Sequence, residues 1–226
     1  MTRHRTPAAR PDATGAANGR QASSETAAHI LDVAERLAQT RGFNGFSYAD
    51  IAEELGVTKA SLHYHYASKA AMGRALIERY TASFRAALDA IDDSPIDAAR
   101  KLQRYITIYA DVLNAGRICL CGMLAAEYTT LPSDMQDAIR AFFDMNERSL
   151  SRMLEAGRKD GSLSFDGPAT DAARAITAAL EGAMLLARPY GGADRFVSAA
   201  KRVLAEFANV APKRTTPKPR NQSKKK

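Results

Sequence analysis

The chain has 226 residues, 46% of them hydrophobic, with a net charge of +7 at pH 7, no Trp and two cysteines. That suits one medium domain or a small domain fused to a larger one, and two cysteines exclude a disulfide framework. No run approaches the roughly 18–20 apolar residues needed to span a bilayer. The first residues carry charge but no apolar stretch, unlike a secretory signal, so the expected setting is the reducing cytoplasm.

The positive charge sits at the two ends. Residues 211–226 hold seven Lys or Arg and no acid, and residues 1–23 hold four Arg against Asp12, which leaves the body between them net acidic. Both ends are Pro-rich or Ala/Gly-rich without apolar period and read as disordered basic extensions. Such tails suit either an acidic partner, with nucleic acid the usual one, or simple solubilisation.

Between the ends the pattern is helical throughout, with no alternating β-branched run. A first helix is expected from about Ser24 to Thr40, its apolar face set by Ala27, Ile30, Leu31, Ala34, Leu37 and Ala38. Gly42 ends it. Ser47 caps a short helix, Tyr48 to Leu55, and Gly56 stops it. Thr58 caps another to about His65, and Ser68 a fourth to about Ile91. Longer helices follow over about 95–114, 119–130, 133–157, 169–187 and 193–209. Pro95, Pro132 and Pro168 stand at starts, where a missing N–H costs nothing. The expected fold is all-α: a three-helix N-terminal domain over 24–70, then a larger helical bundle over 71–210.

The stretch SYADIAEELGVTKASLHYHYASK, 47–69, reads as a helix-turn-helix. Ala52 is small where two helices cross, Gly56 accepts positive φ, and Val57 and Leu62 plug the angle between the helices. The second helix offers Thr58, Lys59, Ser61, His63, Tyr64 and His65, hydrogen-bonding groups suited to a major groove. Ser68 and Lys69 open the next helix, where N–H groups and a cation suit a phosphate. The other reading of HYHY is a mixed surface on a helical corner.

Residues 24–75 resemble the DNA-binding domain of the tetracycline-repressor family, whose pattern of G-F, A-D-I-A, G-V-T/S, K/R-G-T-L-Y-x-H-F and S-K is matched by GFNGFSYADIAEELGVTKASLHYHYASK. The resemblance implies a dimeric transcriptional regulator, usually a repressor, that binds double-stranded operator DNA and is released by a small-molecule inducer. It puts Thr58, Lys59, Ser61, Tyr64 and His65 on the base- and phosphate-contacting face, His63 and Lys69 on phosphates, and Tyr66 inward. Ser47 and Ala60 complete the expected interface. His63, Ala60 and Ala67 depart from the usual Tyr, Gly and Pro, which puts individual base contacts in question.

The last two long helices carry apolar residues on more than one face, many of them Ala, with Gly182 among them. The resemblance implies a four-helix dimer interface built from them; an ordinary monomer core is the alternative. The ligand-lining candidates between the middle helices are Tyr105, Tyr109, Met123, Glu127, Tyr128, Phe142, Phe143 and Met184. The segment GRICLCGMLAAEYTTLPSDM is similar to a branch with the pattern G-C-L-x-G-x-L-A-x-E, which includes repressors responding to maleimides, quinones and acrylate-like electrophiles. Cys119 falls on that branch's cysteine. A helix N-terminus and nearby Arg117 are expected to lower its pKa; the alternative is a small buried hydrophobe.

Cys119 and Cys121, two apart on a helix, point roughly 200° from each other, so a disulfide between them is strained. His4, His29, His63 and His65 lack zinc-site spacing. No nucleotide loop, zinc motif or nucleophile elbow is present, so no catalytic residue, metal or cofactor is expected. Two other readings remain, a helical enzyme using Cys119 and a nonspecific architectural DNA-binding protein.

Overall fold

The computed structural model describes residues 13–207. The helices are α1 (Ala13–Arg41), α2 (Tyr48–Leu55), α3 (Lys59–His65), α4 (Lys69–Asp92), α5 (Ala98–Asn114), α6 (Leu120–Ala126), α7 (Ser133–Asp160), α8 (Ala169–Ala187) and α9 (Asp194–Ala205). Single 3-10 turns cover Tyr128–Thr130 and Arg188–Tyr190. The all-α expectation holds.

Five boundaries differ from expectation, among them the end of α7, which runs on past Gly157 to Asp160. Helix α1 begins at Ala13, within the stretch expected as disordered. Ala has the highest helix propensity, a signal that apolar periodicity does not register. Helix α5 starts at Ala98, where the Asp97 side chain accepts the Arg100 N–H at 2.8 Å and so outcompetes Pro95 as the start signal. Helix α6 stops at Ala126, and the chain tightens into the 3-10 turn. Helix α9 ends at Ala205. The expected basic tail, and residues 1–12 of the expected basic arm, lie outside the described residues.

The head of the molecule is built by local caps. The Ser47 hydroxyl accepts the Ala49 N–H at 3.1 Å, and the Asp50 carboxylate accepts the Ser47 N–H at 2.7 Å, closing a capping box. Gly56 closes α2 at φ +65°, a conformation that costs a residue with a Cβ more. Thr58 caps α3 on the Ser61 N–H at 3.2 Å. Leu62, wholly buried with Ile51, Ile30 and Leu37, is the pin between the helices. The Tyr48 hydroxyl donates to the Tyr66 carbonyl at 2.9 Å, tying the start of α2 to the end of α3.

Helix α4 joins head and body. At 24 residues it is about 36 Å long. Its buried residues, Met72, Leu76, Ile77, Tyr80, Phe84, Leu88 and Ile91, keep one face turned to the core throughout. Arg79 fastens it to α1 through Asp32 at 2.7 Å and Glu35 at 2.8 Å. In the body, α4, α5, α7, α8 and α9 enclose a continuous aromatic core in which Phe84 meets Phe142 at 5.2 Å and Tyr109 at 5.8 Å, and Tyr109 meets Phe196 at 6.2 Å. Tyr105, Tyr109 and Asn146 form a buried triangle with three contacts of 3.1 Å.

Candidate nucleic-acid interface and sensing site

Helix α3 and its cap leave most of the residues expected to read DNA at the surface. Thr58, Lys59, Ala60, His63 and Tyr64 are exposed, and Ser61 and His65 half-buried. Tyr64 is 80% exposed, an unusual position for so large a ring on a folded surface. The His63 ring packs on Tyr48 at 4.8 Å, with Nδ1 3.2 Å from the Ala67 carbonyl, so its orientation is set from behind. Tyr66 turns inward, its hydroxyl donating to the Ala27 carbonyl at 3.3 Å. Ser47 is exposed, but its hydroxyl is engaged with Asp50 at 2.7 Å as part of the cap.

Lys69 is placed otherwise than expected. Its ammonium donates to the carbonyls of Phe43 and Phe46 and sits over both rings, 4.6 Å and 4.4 Å from their centroids. Burial pushes its pKa down, against the pull of Glu127 and Asp50. A cation held by two carbonyls and two aromatic faces staples the α1–α2 link rather than waiting at the surface for a phosphate.

Across that link lies Glu127. Its carboxylate accepts the Phe43 N–H at 2.7 Å and the Asn44 N–H at 3.3 Å. The Asn44 amide reaches the Thr130 hydroxyl at 2.8 Å, Arg117 reaches Gln39 at 3.3 Å, and Arg188 donates to the Thr40 carbonyl. Glu127, expected as a ligand-lining residue, therefore clasps the head to the body. No sequence signal marks this, because the partners are main-chain groups far away in the chain.

The other end of α6 is Cys119. Its thiol accepts the Gly122 N–H at 3.4 Å and the Tyr80 hydroxyl at 3.7 Å, and its own N–H points at Met184 Sδ at 3.1 Å. Cys119 is 1% exposed. The expected lowering of its pKa is overturned: burial pushes the thiol well up, and the neighbouring Glu181 carboxyl adds to that. Desolvation exceeds the pull of a seven-residue helix, and Arg117 is turned toward Gln39. Cys121 is buried and likewise raised.

Glu181 is the residue that sequence reading missed. It lies on α8 among small and apolar neighbours, its Oε1 is buried without a hydrogen-bond partner, and burial raises its pKa to about 7. Its carboxyl lies beside Cys119 and fills the space a side chain at position 122 would need. The available signal was a lone acid in the otherwise uncharged stretch from Ala175 to Ala187.

A cavity of about 190 Å³ opens beside this group, lined by Met123, Met184, Ile118, Gly122 and Glu181 among others. Of the expected lining residues, Met123 and Met184 border it. Tyr105, Tyr109 and Phe142 are instead completely buried and packed on one another's neighbours in the aromatic core. A larger open groove, about 570 Å³, lies between α5 and α9 over Leu102, Ile106, Val197 and Leu204. Among the described residues no cluster of His, Cys, Asp and Glu could hold a metal, and no helix is long and apolar enough to cross a membrane.

A capped helix-turn-helix with an exposed reading helix, clasped to a helical body that holds a buried polar site, defines a two-domain DNA-binding regulator. The chain belongs to the tetracycline-repressor family: residues 30–76 match the model described as bacterial regulatory proteins, tetR family, and residues 98–203 match the tetracyclin repressor-like C-terminal domain. It is 32% identical over 174 residues to the HTH-type transcriptional repressor NemR of Escherichia coli K12, covering 73% of this chain and 84% of that one. A TetR-family regulator from Agrobacterium tumefaciens superposes with a TM-score of 0.79 at 30% identity, over 82% of this chain and 99% of that one. The E. coli NemR structure in its reduced form gives a TM-score of 0.71 at 29% identity, over 81% and 97%.

Proposed function

We propose that the chain is a homodimeric repressor that binds a palindromic operator through α3 and releases it when an electrophile adds to Cys119. The observation that carries this reading is the position of α6. One end is the Cys119 thiol and the other is the Glu127 clasp on the DNA-binding head, about 12 Å apart along seven helical residues. The buried thiol sits behind the wall of the neighbouring cavity and is not among the residues lining it, so a group added there presses on α6. The clasp at 43–44 then moves, and with it the base of the helix-turn-helix. The likeness of the Cys119 segment to the electrophile-responsive branch supports the same reading.

Operator reading falls to Thr58, Lys59, Ala60, Ser61, His63, Tyr64 and His65, with Ser47 at the edge of the interface and Lys69 supporting it from behind. Two recognition helices spaced by about 34–36 Å meet successive major grooves. The dimer face is built from α8 and α9, and on the outer side of α8 Ala175, Ala178, Gly182, Leu185 and Leu186 are exposed, the two leucines by 55% and 64%. The protein needs no catalytic residue, metal or cofactor for this role, which is exercised in the cytoplasm.

The test is a footprint on DNA flanking the protein's own gene, with and without N-ethylmaleimide, for the parent, Cys119→Ser and Cys121→Ser. A short palindromic footprint, lost on treatment but retained in Cys119→Ser, is expected. A footprint indifferent to the reagent keeps the repressor and discards the thiol sensor.

A further inference from the structure

The buried thiol raises a chemical difficulty. Nucleophilic addition needs the thiolate, and a desolvated thiol at neutral pH supplies very little of it. A base inside the site removes the difficulty if it can reach the S–H and is itself ionised near neutrality. Glu181 meets the geometric requirement. Its carboxyl lies beside Cys119, since a Glu181 oxygen and the Cys119 Cβ both come within 3.5 Å of the point where a Cβ on Gly122 would sit, and it forms part of the cavity wall. The wall next to it is Gly122, whose missing side chain leaves the carboxyl room and whose N–H points at Sγ. The second oxygen, Oε1, is buried and makes no hydrogen bond. An orphaned buried acceptor of this kind costs stability and calls for a reason.

We propose that Glu181 is the proton shuttle for addition of Cys119 to a small α,β-unsaturated carbonyl compound held in the cavity between α6 and α8. This rests on the thiol-sensor reading and names its reaction. The Glu181 carboxylate takes the S–H proton as Sγ bonds to the β-carbon of the alkene. The π electrons move to the α-carbon and its carbonyl, and the carboxylic acid so formed returns its proton to the α-carbon. One S–H and one C=C π bond are lost, one C–S and one C–H bond are gained, and Glu181 ends as it began. No oxidant or reductant takes part.

The surroundings suit the role. The titratable groups facing Glu181 are Tyr80 on α4, Tyr105 and Tyr109 on α5, and Cys119 and Cys121 at the start of α6. All have raised pKa values and are neutral at pH 7. Burial, opposed only by the neighbouring Cys119 thiol, therefore brings the carboxyl to about 7, where acid and base forms are both present.

The experiment measures the rate of Cys119 alkylation by N-ethylmaleimide in the full chain, by intact-mass spectrometry between pH 5.5 and 8.5, in a Cys121→Ser background. With Glu181 present, the rate is expected to rise through an inflection near pH 7. In Glu181→Gln it should fall at least tenfold at pH 7.5, lose that inflection and follow hydroxide concentration. Glu181→Asp should keep the inflection at a reduced rate, and it serves as the test should the Gln variant fail to fold. Equal rates and equal pH profiles in parent and Glu181→Gln, or an Asp variant without the inflection, overturn the shuttle while leaving the thiol sensor intact. A parent whose Cys119 labels only after denaturation overturns both.

Discussion

Glu127, at the C-terminal end of α6, accepts the backbone N–H of Phe43 at 2.7 Å from 84 residues away in the chain. If that contact transmits the signal, Glu127→Ala should uncouple the two domains without preventing modification. Cys119 should alkylate as in the parent, and the operator should still bind. The ratio of operator affinities before and after alkylation should drop below fivefold, the lower end of ordinary allosteric coupling. Fluorescence anisotropy on an operator duplex measures it, and an undiminished ratio would show that the signal travels elsewhere.

Lys69 offers a choice between two roles that leave different signatures. As a staple on the Phe43 and Phe46 carbonyls, its replacement in Lys69→Met leaves buried acceptors unpaired and should cost about 1–3 kcal/mol of stability. As a phosphate contact, it would lower the salt slope of operator binding by about one. We expect the stability loss, read by denaturant melts, with an unchanged salt slope.

These two residues also mark where the sequence stops being legible. The head could be read almost residue by residue, because Ser47, Gly56 and Thr58 act on N–H and C=O groups within a few positions of themselves. Lys69 and Glu127 act on carbonyls and N–H groups 23 to 84 residues away, and nothing in their neighbourhood announces it. Glu181 was hidden differently. An alanine-rich helix reads as apolar, and one acid within it looks like a solvent-facing position until the packing turns it inward. The opposite error befell Tyr105 and Tyr109, expected to line a ligand site between the middle helices, whose hydroxyls are spent on each other and on Asn146.

Tyr64 should be the most expendable residue for folding and the least for operator binding. Its ring is 80% exposed, and its contact within the protein is an edge meeting with His65 at 5.1 Å. Tyr64→Ala should leave stability within about 0.5 kcal/mol of the parent. Operator affinity should fall by about 1–3 kcal/mol, roughly 5- to 150-fold. An unaltered affinity would remove Tyr64 from the reading face.

Glu181 also makes a prediction about stability and pH. Its pKa rises from 4.5 to about 7 on folding, so the native state holds a proton that the unfolded state releases between those values. The stability contributed by the protonated form is fully present below pH 4.5 and is lost as pH rises through about 7. The total is on the order of 3 kcal/mol. The difference in unfolding free energy between parent and Glu181→Gln should therefore shift in favour of the variant between pH 5 and pH 8. A pH-independent difference would mean the carboxyl titrates as it does in water.

The triangle of Tyr105, Tyr109 and Asn146 has a bearing on all of this. Greasy side chains alone can slide past one another by fractions of an ångström at little cost, whereas three interlocked hydrogen bonds in a dry interior admit one alignment of α5 against α7. The bundle behind α6 is in that sense an anvil. Under the proposed mechanism a blow struck at Cys119 meets that rigid wall, and the clasp of Glu127 on the DNA-reading head is what is left to yield.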